Sequence, residues 1–551
     1  MKKIIATTLL VLPMIAAQAQ YRSEVWCPDN GDGTYTNPVI NADYSDPDVI
    51  CVGDDYYLTA SSFNCMPGLP ILHSKDLVNW DIIGHALHTQ YPDSVKPLHG
   101  AGVYAPSIRY HNDEFYIYWG DLTTGCYMVK AKDPRGPWSE PLMVVKGKGI
   151  IDTCPLWDDD GRCYLVNGWG NSAVGFNNLL TVRELSADGT KAIGEPVIVF
   201  DGGFHGLSTV EGPKFYKRDG WYWILCPAGG VGNGPQLAMR GKSPYGPYEY
   251  KEVLNRGKTN IRGPHQGGWV HTPFGEDWFM HFQDRGVYGR VTHLQPVDWS
   301  SGWPIMGNKG EPVITHKKPK SMSTIIVNPA ESDEFNEPRL GKQWQWENDY
   351  NELYGMATSE GVYRLFTMLL PFQTAETNLW NVPNLLLQKT PCETFTVTAK
   401  VKMNSLNENQ RGGIVSFGRS YAALVMEREG HDMFLRQVVC ERSDGRRSKE
   451  QVTTLAKLDL GYTPKDGRKY PALIRKELYL RMYVSGGKGR FAYSEDGKKY
   501  KDVGTEFSLD KSRWIGTKVG LTCTEANVKG RRGYMDVDWF RVTKSTPPAQ
   551  K

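Results

Sequence analysis

A hairpin-like pattern recurs five times in the first half of the chain. Each copy has a short stretch that contains Pro or apolar residues, then a polar turn of Gly, Asp or Asn, and then one or two aromatic residues, as β-hairpins do. The copies end at Tyr57, Tyr116, Tyr164, Tyr222 and Phe279. They lie about 50 to 60 residues apart, the period of four-stranded sheets repeated around an axis. The repeat therefore predicts a five-bladed β-propeller.

Three of the copies begin with a carboxylate at almost the same distance from the aromatic residue that ends the copy. Asp46, Asp152 and Glu211 precede that residue by 11 or 12 positions. Positions of equal phase in a radial repeat lie at the same end of the central channel. We therefore expect the three carboxylates to occupy one phase and to meet at one mouth of the propeller, where two of them can act as acid and base.

The composition fits an all-β protein with two domains. The chain has 551 residues, of which 40% are hydrophobic and 23% charged, with 58 Gly and 34 Pro for its turns. The net charge of +3 is small for this length, so neither nucleic acid nor an acidic membrane surface is indicated as a partner. The ten cysteines lack the short paired spacings of a zinc site, so isolated buried thiols are expected, with one or two disulfides as the alternative.

The N-terminus has the features of a signal peptide, which we assign to residues 1–19. Lys2 and Lys3 precede an apolar run that reaches Ala17, and Ala17-Gln18-Ala19 is a small-x-small cleavage site. No cysteine near Ala19 could receive a lipid, and no later run reaches the about 18 apolar residues of a membrane span. We expect an exported protein, periplasmic or secreted, without membrane insertion.

The remaining sequence divides into two domains. We place the propeller at residues 30–314 and a polar linker at 315–331. Beyond it, the segments 394–403 and 478–484 alternate apolar and polar residues with period two, as strands with one buried face do. With a closing strand near 534–542 and almost no helical periodicity, residues 332–545 are predicted to form a β-sandwich.

Several motifs, taken in order, resemble glycoside hydrolase family 43. They are Asn37-Pro38-Val39-Ile40, Ser45-Asp46-Pro47-Asp48, Tyr104-Ala105-Pro106-Ser107-Ile108, Ile151-Asp152 and Val210-Glu211-Gly212-Pro213. The likeness covers roughly residues 35–310. The tail resembles the concanavalin A-like, jelly-roll β-sandwich that follows the propeller in family β-xylosidases and α-L-arabinofuranosidases. The resemblance implies a five-bladed propeller and hydrolysis with inversion.

The resemblance also implies a role for each carboxylate. Asp46 is the general base, Glu211 the general acid, and Asp152 a third carboxylate that raises the pKa of the acid and orients it. Inversion needs an ionised and a protonated carboxyl about 6.5–9.5 Å apart, with water between them, and a nearby like charge keeps an acid protonated. An Asp before Pro is more often a turn residue, but the alignment of all three carboxylates favours catalysis.

Three further residues match family positions in or near the sugar site, and Phe63 is a fourth candidate from its place at the end of the strand next to that of Asp46. Arg290 matches an arginine that reaches the sugar or the acid, with a surface arginine as the alternative. Tyr104, where many members have Trp, and Phe63 are candidate walls for the sugar, although Phe63 by default belongs to the core. His265 aligns with an axial histidine that binds calcium through water in some members; a hydrogen-bonded core histidine is as good an interpretation.

No cofactor is required by this chemistry, but calcium could serve a structural role. In the tail, Asp333 together with Asp536 or Asp538 could hold a calcium ion between the first and last strands. Alternation places Asp536 and Asp538 on one face of a strand, where a solvated surface is the simpler interpretation.

These observations predict an exo-acting inverting glycosidase. Its expected product is a terminal non-reducing α-L-arabinofuranosyl residue from plant cell-wall polysaccharides or oligosaccharides such as arabinoxylan, arabinan or xyloglucan side chains. A β-D-xylosidase, or an enzyme with both specificities, is the close alternative. A catalytically silent carbohydrate-binding protein is the alternative of another class, but binding alone needs no protonated acid.

Overall fold

The structure is a computed structural model that describes residues 21–91, 99–348, 351–370, 378–382, 384–445, 448–467, 472–526 and 531–545. The predicted signal peptide lies outside these residues. Five four-stranded antiparallel sheets form a five-bladed propeller, and two larger sheets form a β-sandwich after it. The predicted fold class is confirmed. No helix within the described ranges is long and apolar enough to cross a membrane.

Each blade is a four-stranded meander whose first strand lies next to the axis. Blade 1 follows β1 (Thr34–Thr36) and contains β2 (Asp48–Val52), β3 (Asp55–Thr59), β4 (Gly68–Ser74) and β5 (Trp80–Leu87). Blade 2 contains β6 (Tyr104–His111), β7 (Glu114–Asp121), β8 (Gly125–Ala131) and β9 (Leu142–Lys146). Blade 3 contains β10 (Ile150–Trp157), β11 (Cys163–Trp169), β12 (Leu179–Leu185) and β13 (Val197–Asp201), with the one-turn helix α1 (Asn171–Val174) after β11.

The last two blades repeat this order. Blade 4 contains β14 (Lys214–Arg218), β15 (Trp221–Pro227), β16 (Gln236–Gly241) and β17 (Glu249–Leu254). Blade 5 contains β18 (His265–His271), β19 (Asp277–Asp284), β20 (Arg290–Asp298) and β21 (Ile305–Met306). Two 3-10 turns, Gly202–His205 and Gly286–Tyr288, lie in loops that leave the blades. The blades pack face to face through aromatic and β-branched side chains, so nearly all of the middle strands are buried.

A backbone kink recurs just before or at the start of the axial strand of each blade. Asp46, Ala105, Asp152, Gly212 and Gln266 all have a left-handed φ, between 43° and 61°. Few residues other than glycine adopt this region, and in blades 2, 3 and 5 the strand register shifts at the kink. Asp46 and Asp152 occupy this repeated position, but in blade 4 it belongs to Gly212. The prediction of a single phase is therefore wrong by one residue for Glu211, although all three carboxyl groups lie at the same mouth.

The two ends of the propeller are tied together by a short sheet. β1 pairs antiparallel with β22 (Thr315–Lys317), and Ile40 forms a bridge with Thr292 of blade 5. The side chain of Asn37 donates to the carbonyl oxygens of Leu294 and Val313. The segment 315–331, predicted as a linker, thus begins with the strand β22, which pairs with β1 and closes the propeller.

The C-terminal domain consists of two antiparallel sheets packed face to face. One sheet has the order β23 (Gln345–Trp346), β27 (Leu386–Lys389), β36 (Lys518–Glu525), β29 (Gln410–Phe417), β30 (Tyr421–Glu429), β31 (Asp432–Cys440) and β32 (Gln451–Leu458), with β26 (Met368–Leu369) parallel to β36. The other has the order β24 (Gly355–Ala357), β25 (Tyr363–Phe366), β37 (Tyr534–Thr543), β28 (Thr394–Ser405), β33 (Ile474–Ser485), β34 (Lys488–Ser494) and β35 (Lys501–Ser508). A 3-10 turn, Glu352–Tyr354, precedes β24. Alternating residues of both sheets fill the core between them.

The sandwich docks against the mouth side of blades 1 and 5. The backbone of Met66 pairs with that of Trp346, and the loop after β35 lies against the 3-10 turn Gly286–Tyr288. Each of the ten cysteines lies among the described residues, and none of them forms a disulfide there. The expectation of isolated thiols, most of them buried, agrees with this arrangement.

Candidate active site

Asp46 lies at the kink before β2 with its carboxylate buried at the mouth. The Ser61 hydroxyl donates to Asp46 Oδ2 at 2.5 Å, and Arg290 Nη1 lies 3.5 Å from Oδ1. Ser61 is itself fixed, because its oxygen accepts from the Ala105 backbone N–H at 2.8 Å. One oxygen of the Asp46 carboxylate therefore accepts from a hydroxyl, and the other lies beside a guanidinium.

Glu211 has the opposite electrostatic environment. Its side chain remains 30% exposed at the mouth, and no salt bridge from an arginine or a lysine is present among the described residues. Burial raises the pKa of its carboxyl well above the usual value, and the negative charges of Asp152 and Asp46 raise it further, while Arg290 opposes them. Glu211 is therefore the carboxyl of this group that retains a proton near neutral pH.

Asp152 lies close enough to the other two carboxyl groups to interact with both, and it is fixed by the backbone of the Glu211 loop. Its Oδ2 accepts from the Gly212 N–H at 2.8 Å, so it holds the residue next to Glu211. Burial and the charge of Asp46 raise the pKa of Asp152, whereas the Gly212 N–H and the charge of Lys214 lower it. Gly168 lies next to this contact, where a Cβ would make ordinary van der Waals contact, 3.8 Å from both Asp152 Oδ2 and the Glu211 Cα.

His265 lies under the acid as a neutral imidazole. Its Nε2 is 3.5 Å from Glu211 Oε1, and burial together with the charge of Arg290 lowers its pKa to about 3. Within the described part of the chain neither ring nitrogen has a hydrogen-bond partner. A buried neutral imidazole with a free lone pair can accept from water, and this fits the water-mediated calcium position implied by the family resemblance.

Arg290 approaches Asp46 rather than Glu211. Besides the contact with Asp46, its guanidinium lies over the Phe282 ring at 4.9 Å and near the Trp514 ring at 5.5 Å. Its backbone N–H donates to Asp43 Oδ1. Arg290 is buried at the mouth, so the alternative of a surface arginine is wrong.

Below the mouth, charged side chains fill the axial channel. The Lys214 ammonium is fully buried and donates to the Pro106 carbonyl and the Ser107 hydroxyl. Asp48, two residues after Asp46, accepts from Arg109 at 2.7 Å and lies 4.0 Å from Lys214. Sequence reasoning missed these residues, although Asp48 and Lys214 stand in the very motifs that contain Asp46 and Glu211. Ser61 gave no signal in the sequence.

One wall of the site combines both domains. The rings of Phe63 and Tyr104 stack with centroids 6.2 Å apart, and Ile515 of the sandwich packs against them. Trp514, which directly precedes Ile515, is 52% exposed and has a left-handed φ of 67°. Phe63 and Tyr104 thus lie together as expected of a wall, but the contribution of the sandwich loop was not anticipated, since no local pattern links residues this far apart.

The three acidic residues considered for calcium in the tail have other partners, and Asp536 pairs with Arg364 at 2.7 Å. Both carboxylate oxygens of Asp333 accept hydrogen bonds from its own domain, from Phe335 N, Gly341 N and Trp344 Nε1. Asp538 pairs with Lys400 at 2.7 Å. Within the described ranges no group of three or more His, Cys, Asp and Glu side chains is arranged to hold a metal. The structure does not bring Asp333 and Asp538 together as ligands.

Three carboxyl groups at one mouth of a five-bladed propeller, of which Glu211 has a raised pKa, form the kind of site that a propeller glycosidase uses. The family model for glycosyl hydrolases family 43 matches residues 35–304, and that for the beta xylosidase C-terminal concanavalin A-like domain matches 332–543. The chain belongs to glycosyl hydrolase family 43.

Relatives of known name extend over most of the chain. A beta-xylosidase of Formosa agariphila is 32% identical over 578 residues, covering 95% of this chain and 92% of its own length. A non-reducing end alpha-L-arabinofuranosidase of Bacteroides ovatus is 32% identical over 427 residues, covering 72% and 77%. A solved family 43 protein of Bacillus licheniformis superposes with a TM-score of 0.76 at 27% identity, over 93% of this chain and 100% of that one.

Proposed function

We propose that this protein is an inverting exo-glycosidase that removes a single terminal pentose from plant cell-wall polysaccharide or its fragments. Asp46 acts as general base, Glu211 as general acid, and Asp152 tunes and orients the acid. The observation that carries the proposal is the contrast between two carboxyl groups at one mouth. Asp46 faces a hydroxyl donor and a guanidinium, whereas burial and two carboxylates keep Glu211 protonated.

The contrast assigns each proton of the reaction. Asp46 takes a proton from a water molecule. The oxygen of that water attacks the anomeric carbon from the face opposite the leaving group. The glycosidic C–O bond breaks, and the Glu211 proton passes to the leaving oxygen. The sugar is released with inverted configuration, and the proton on Asp46 returns to Glu211 through solvent.

The neighbouring groups keep this cycle ready for another turnover. Asp152 holds Glu211 by the Gly212 N–H and adds negative charge, which restores the proton on Glu211 after each cycle. Arg290 places its guanidinium beside Asp46, and we propose that its other donors bind hydroxyl groups of the sugar. Neutral His265 adds no positive charge beside Glu211, so it does not favour loss of the proton.

The shape of the mouth supports exo action on one terminal sugar. Phe63, Tyr104 and Ile515 form one wall, and Trp514 rises beside Arg290. A pocket closed on one side by a second domain accepts a chain end more readily than the middle of a chain.

The identity of the pentose is the finer part of the proposal. The sequence favours α-L-arabinofuranose, and the Bacteroides ovatus relative is named for that activity. The relative from Formosa agariphila, which matches a larger share of the chain, is named a beta-xylosidase. We therefore propose β-D-xylose as the first candidate and α-L-arabinofuranose as the second, with a pocket that accepts both as the intermediate case.

Two further proposals accompany the activity. The chemistry uses only carboxyl groups and water, so no cofactor takes part in it, and a calcium ion near His265 would be structural. Activity that survives dialysis against a chelator supports this, and a loss of activity that added calcium restores, with the melting temperature unchanged throughout, would contradict it. The N-terminal motif supports export to the periplasm or beyond, which cell fractionation with and without residues 1–19 tests.

The activity is tested with matched chromogenic β-D-xyloside and α-L-arabinofuranoside. The specificity constants of the wild type identify the preferred sugar, and Asp46→Asn should remove both activities while the melting temperature is kept. A wild-type protein that binds arabinoxylan but hydrolyses neither these substrates nor arabinan, arabinoxylan or xyloglucan would instead favour the catalytically silent binding protein.

A further inference from the structure

A phenylalanine on the rim of the mouth is almost fully exposed. Phe204 is 90% exposed, although a large apolar side chain in water costs free energy that burial would recover. It lies in the 3-10 turn Gly202–His205, at the start of the loop that leads to Glu211. An exposed aromatic side chain beside a ligand pocket is typical of a binding surface.

The backbone around Phe204 is held in place. The Asp201 carboxylate accepts from the Gly203 N–H, and Gly206, in the left-handed conformation, donates to the carbonyl oxygens of Gly202 and Gly203. On the next residue, the His205 ring stacks on Phe200 with centroids 4.9 Å apart. The turn therefore presents Phe204 to solvent from a fixed position.

A second exposed phenylalanine lies on the neighbouring loop. Phe176 is 41% exposed, and its ring contacts Trp169 at a centroid distance of 5.5 Å. Asn178 joins the two loops, because its backbone carbonyl accepts from the Gly202 N–H and its side chain accepts from the Val210 N–H. We call Phe176, Phe204 and Trp169 the rim aromatics.

Strand register places both loops at the catalytic mouth. Ile150, two residues before Asp152, pairs with Trp169 at the end of β11, and Leu179 at the start of β12 pairs with Asp201 at the end of β13. The loops that follow Trp169 and Asp201 therefore leave the blade at the end where Asp152 lies.

The chemistry decides which part of the substrate passes these loops. The general acid protonates the glycosidic oxygen, so the leaving sugar must lie against Glu211. The loop that contains Phe204 ends at Glu211, and Asn178 fixes the Phe176 loop to it. Sugars attached beyond the scissile bond therefore extend over the rim aromatics, whose rings suit the apolar faces of pyranose or furanose units.

We propose that Phe204 and Phe176 form a binding site for the leaving-group sugars, so that the protein prefers oligosaccharide and polymer substrates to short glycosides. This inference rests on the proposed hydrolase activity and on Glu211 as its acid.

The test compares two substrates of the pentose that the wild type releases. One is a linear tetrasaccharide with that pentose at its non-reducing end, and the other is the pentosyl fluoride, whose leaving group is a single atom. The measured quantity is the ratio of kcat/KM for the tetrasaccharide to kcat/KM for the fluoride. Phe204→Ala and Phe176→Ala should each lower this ratio by about two- to tenfold, mainly through KM, and the double variant should lower it further.

Two controls separate stacking from general damage. Phe204→Tyr keeps an aromatic ring and should keep the wild-type ratio. Phe274→Ala removes a phenylalanine that is 39% exposed in the β18–β19 turn, at the opposite end of blade 5 from His265, and should also keep it. A ratio in the double variant within about twofold of the wild type would overturn the inference, as would a wild type that cleaves the fluoride but not the tetrasaccharide. A wild type that cleaves neither substrate would overturn the proposed function instead.

Discussion

The carboxyl groups at the mouth differ in their surroundings although their side chains are of one kind. Asp46 faces the Ser61 hydroxyl and the Arg290 guanidinium, while Glu211 lies against carboxylates and a neutral histidine. Asp152 shapes the surroundings of Glu211, because its carboxylate accepts from the Gly212 N–H next to Glu211 and its charge raises the pKa of Glu211.

Glu211→Gln should lower kcat by at least about 10²–10⁴ on substrates whose leaving group needs a proton. The loss should be much smaller on the pentosyl fluoride, since fluoride departs without protonation. Steady-state rates on the fluoride and on an unactivated disaccharide measure this difference. Equal losses on both substrates would contradict the assignment of Glu211 as the acid.

Asp152→Asn should move the alkaline limb of the kcat/KM profile to lower pH. Asp152 raises the pKa of Glu211, so its neutralisation lowers that pKa and the acid loses its proton at a lower pH. The profile of Asp219→Asn, which changes an exposed turn residue, serves as the control. An alkaline limb that stays in place would show that Asp152 has no influence on the proton of the acid.

The sequence predicted that the three carboxylates meet at one mouth, because they stand at nearly equal spacing in the repeats, but it missed Ser61 and the contact between Arg290 and Asp46. Ser61 is 15 residues from Asp46 and belongs to no motif, and Arg290, predicted to reach the sugar or Glu211, reaches Asp46 only when blade 5 closes on blade 1. The one-residue offset of Glu211 also escaped, since it depends on the left-handed Gly212 rather than on the spacing.

At the scale of elements, the repeated kink and one loop of the sandwich shape the mouth. The kink lies at the start of each axial strand, and the loop 510–517 of the sandwich lies beside Arg290 at the opening. The Gly516 N–H donates to Asp43 Oδ2 at 2.7 Å, and the Thr517 N–H donates to the Val287 carbonyl. The loop is therefore anchored to the propeller at Gly516 and Thr517.

Gly516→Ala should displace this loop and weaken catalysis. A Cβ at residue 516 would lie 2.5 Å from the Gly289 backbone nitrogen, so the backbones must separate. Trp514 and Ile515 would move with them, and small misplacements at a site can cost at least about tenfold in kcat/KM. Gly84→Ala in β5 is a matched control, because the nearest atom to its Cβ would be 3.7 Å away.

Rates near those of the wild type in Gly516→Ala would mean that the sandwich loop takes no part in the site.

The hairpins and the period of the blades could be predicted from the sequence, because they depend on local turns and alternation. The position of the 510–517 loop could not, because it depends on contacts with residues more than 200 positions away.

At the scale of the whole molecule, a buried charged cluster joins the domains. Lys518 of β36 pairs with Glu347, and His99 Nδ1 of the propeller lies 3.0 Å from Glu347 Oε1. The Lys518 ammonium also lies 3.1 Å from Cys65 Sγ, two residues after Phe63. The cluster thus connects the sandwich to the wall of the site.

Lys518→Met should destabilise the protein by about 3–5 kcal/mol, because it leaves Glu347 charged and unpaired in the interior. The double variant Lys518→Met/Glu347→Leu should recover much of this loss. Lys488→Met, which breaks the exposed pair with Glu506, should cost about 0–1 kcal/mol. Chemical denaturation measures all three, and a double variant no more stable than Lys518→Met would contradict the coupling.

The same cluster predicts loss of stability in acid. Burial would raise the pKa of Glu347, but the charge of Lys518 and the bond to His99 outweigh burial and hold the pKa below the usual value. A depressed pKa stabilises the folded protein at pH values above the pKa of the unfolded state, about 4.3, and this stabilisation is lost as the pH falls below that value.

The two domains could be predicted from the change in sequence pattern. The contact between them could not, because its residues are scattered along the chain.

The stereochemistry of the first product tests the central claim most directly. Proton NMR during hydrolysis of a β-D-xyloside or an α-L-arabinofuranoside reports the anomer that appears before mutarotation. The account predicts the inverted anomer, because Asp46 directs water to the face opposite the bond that Glu211 protonates, and predicts no product from Asp46→Asn. Initial formation of the retained anomer would contradict it, since retention requires a covalent sugar–enzyme intermediate that this assignment of base and acid does not form.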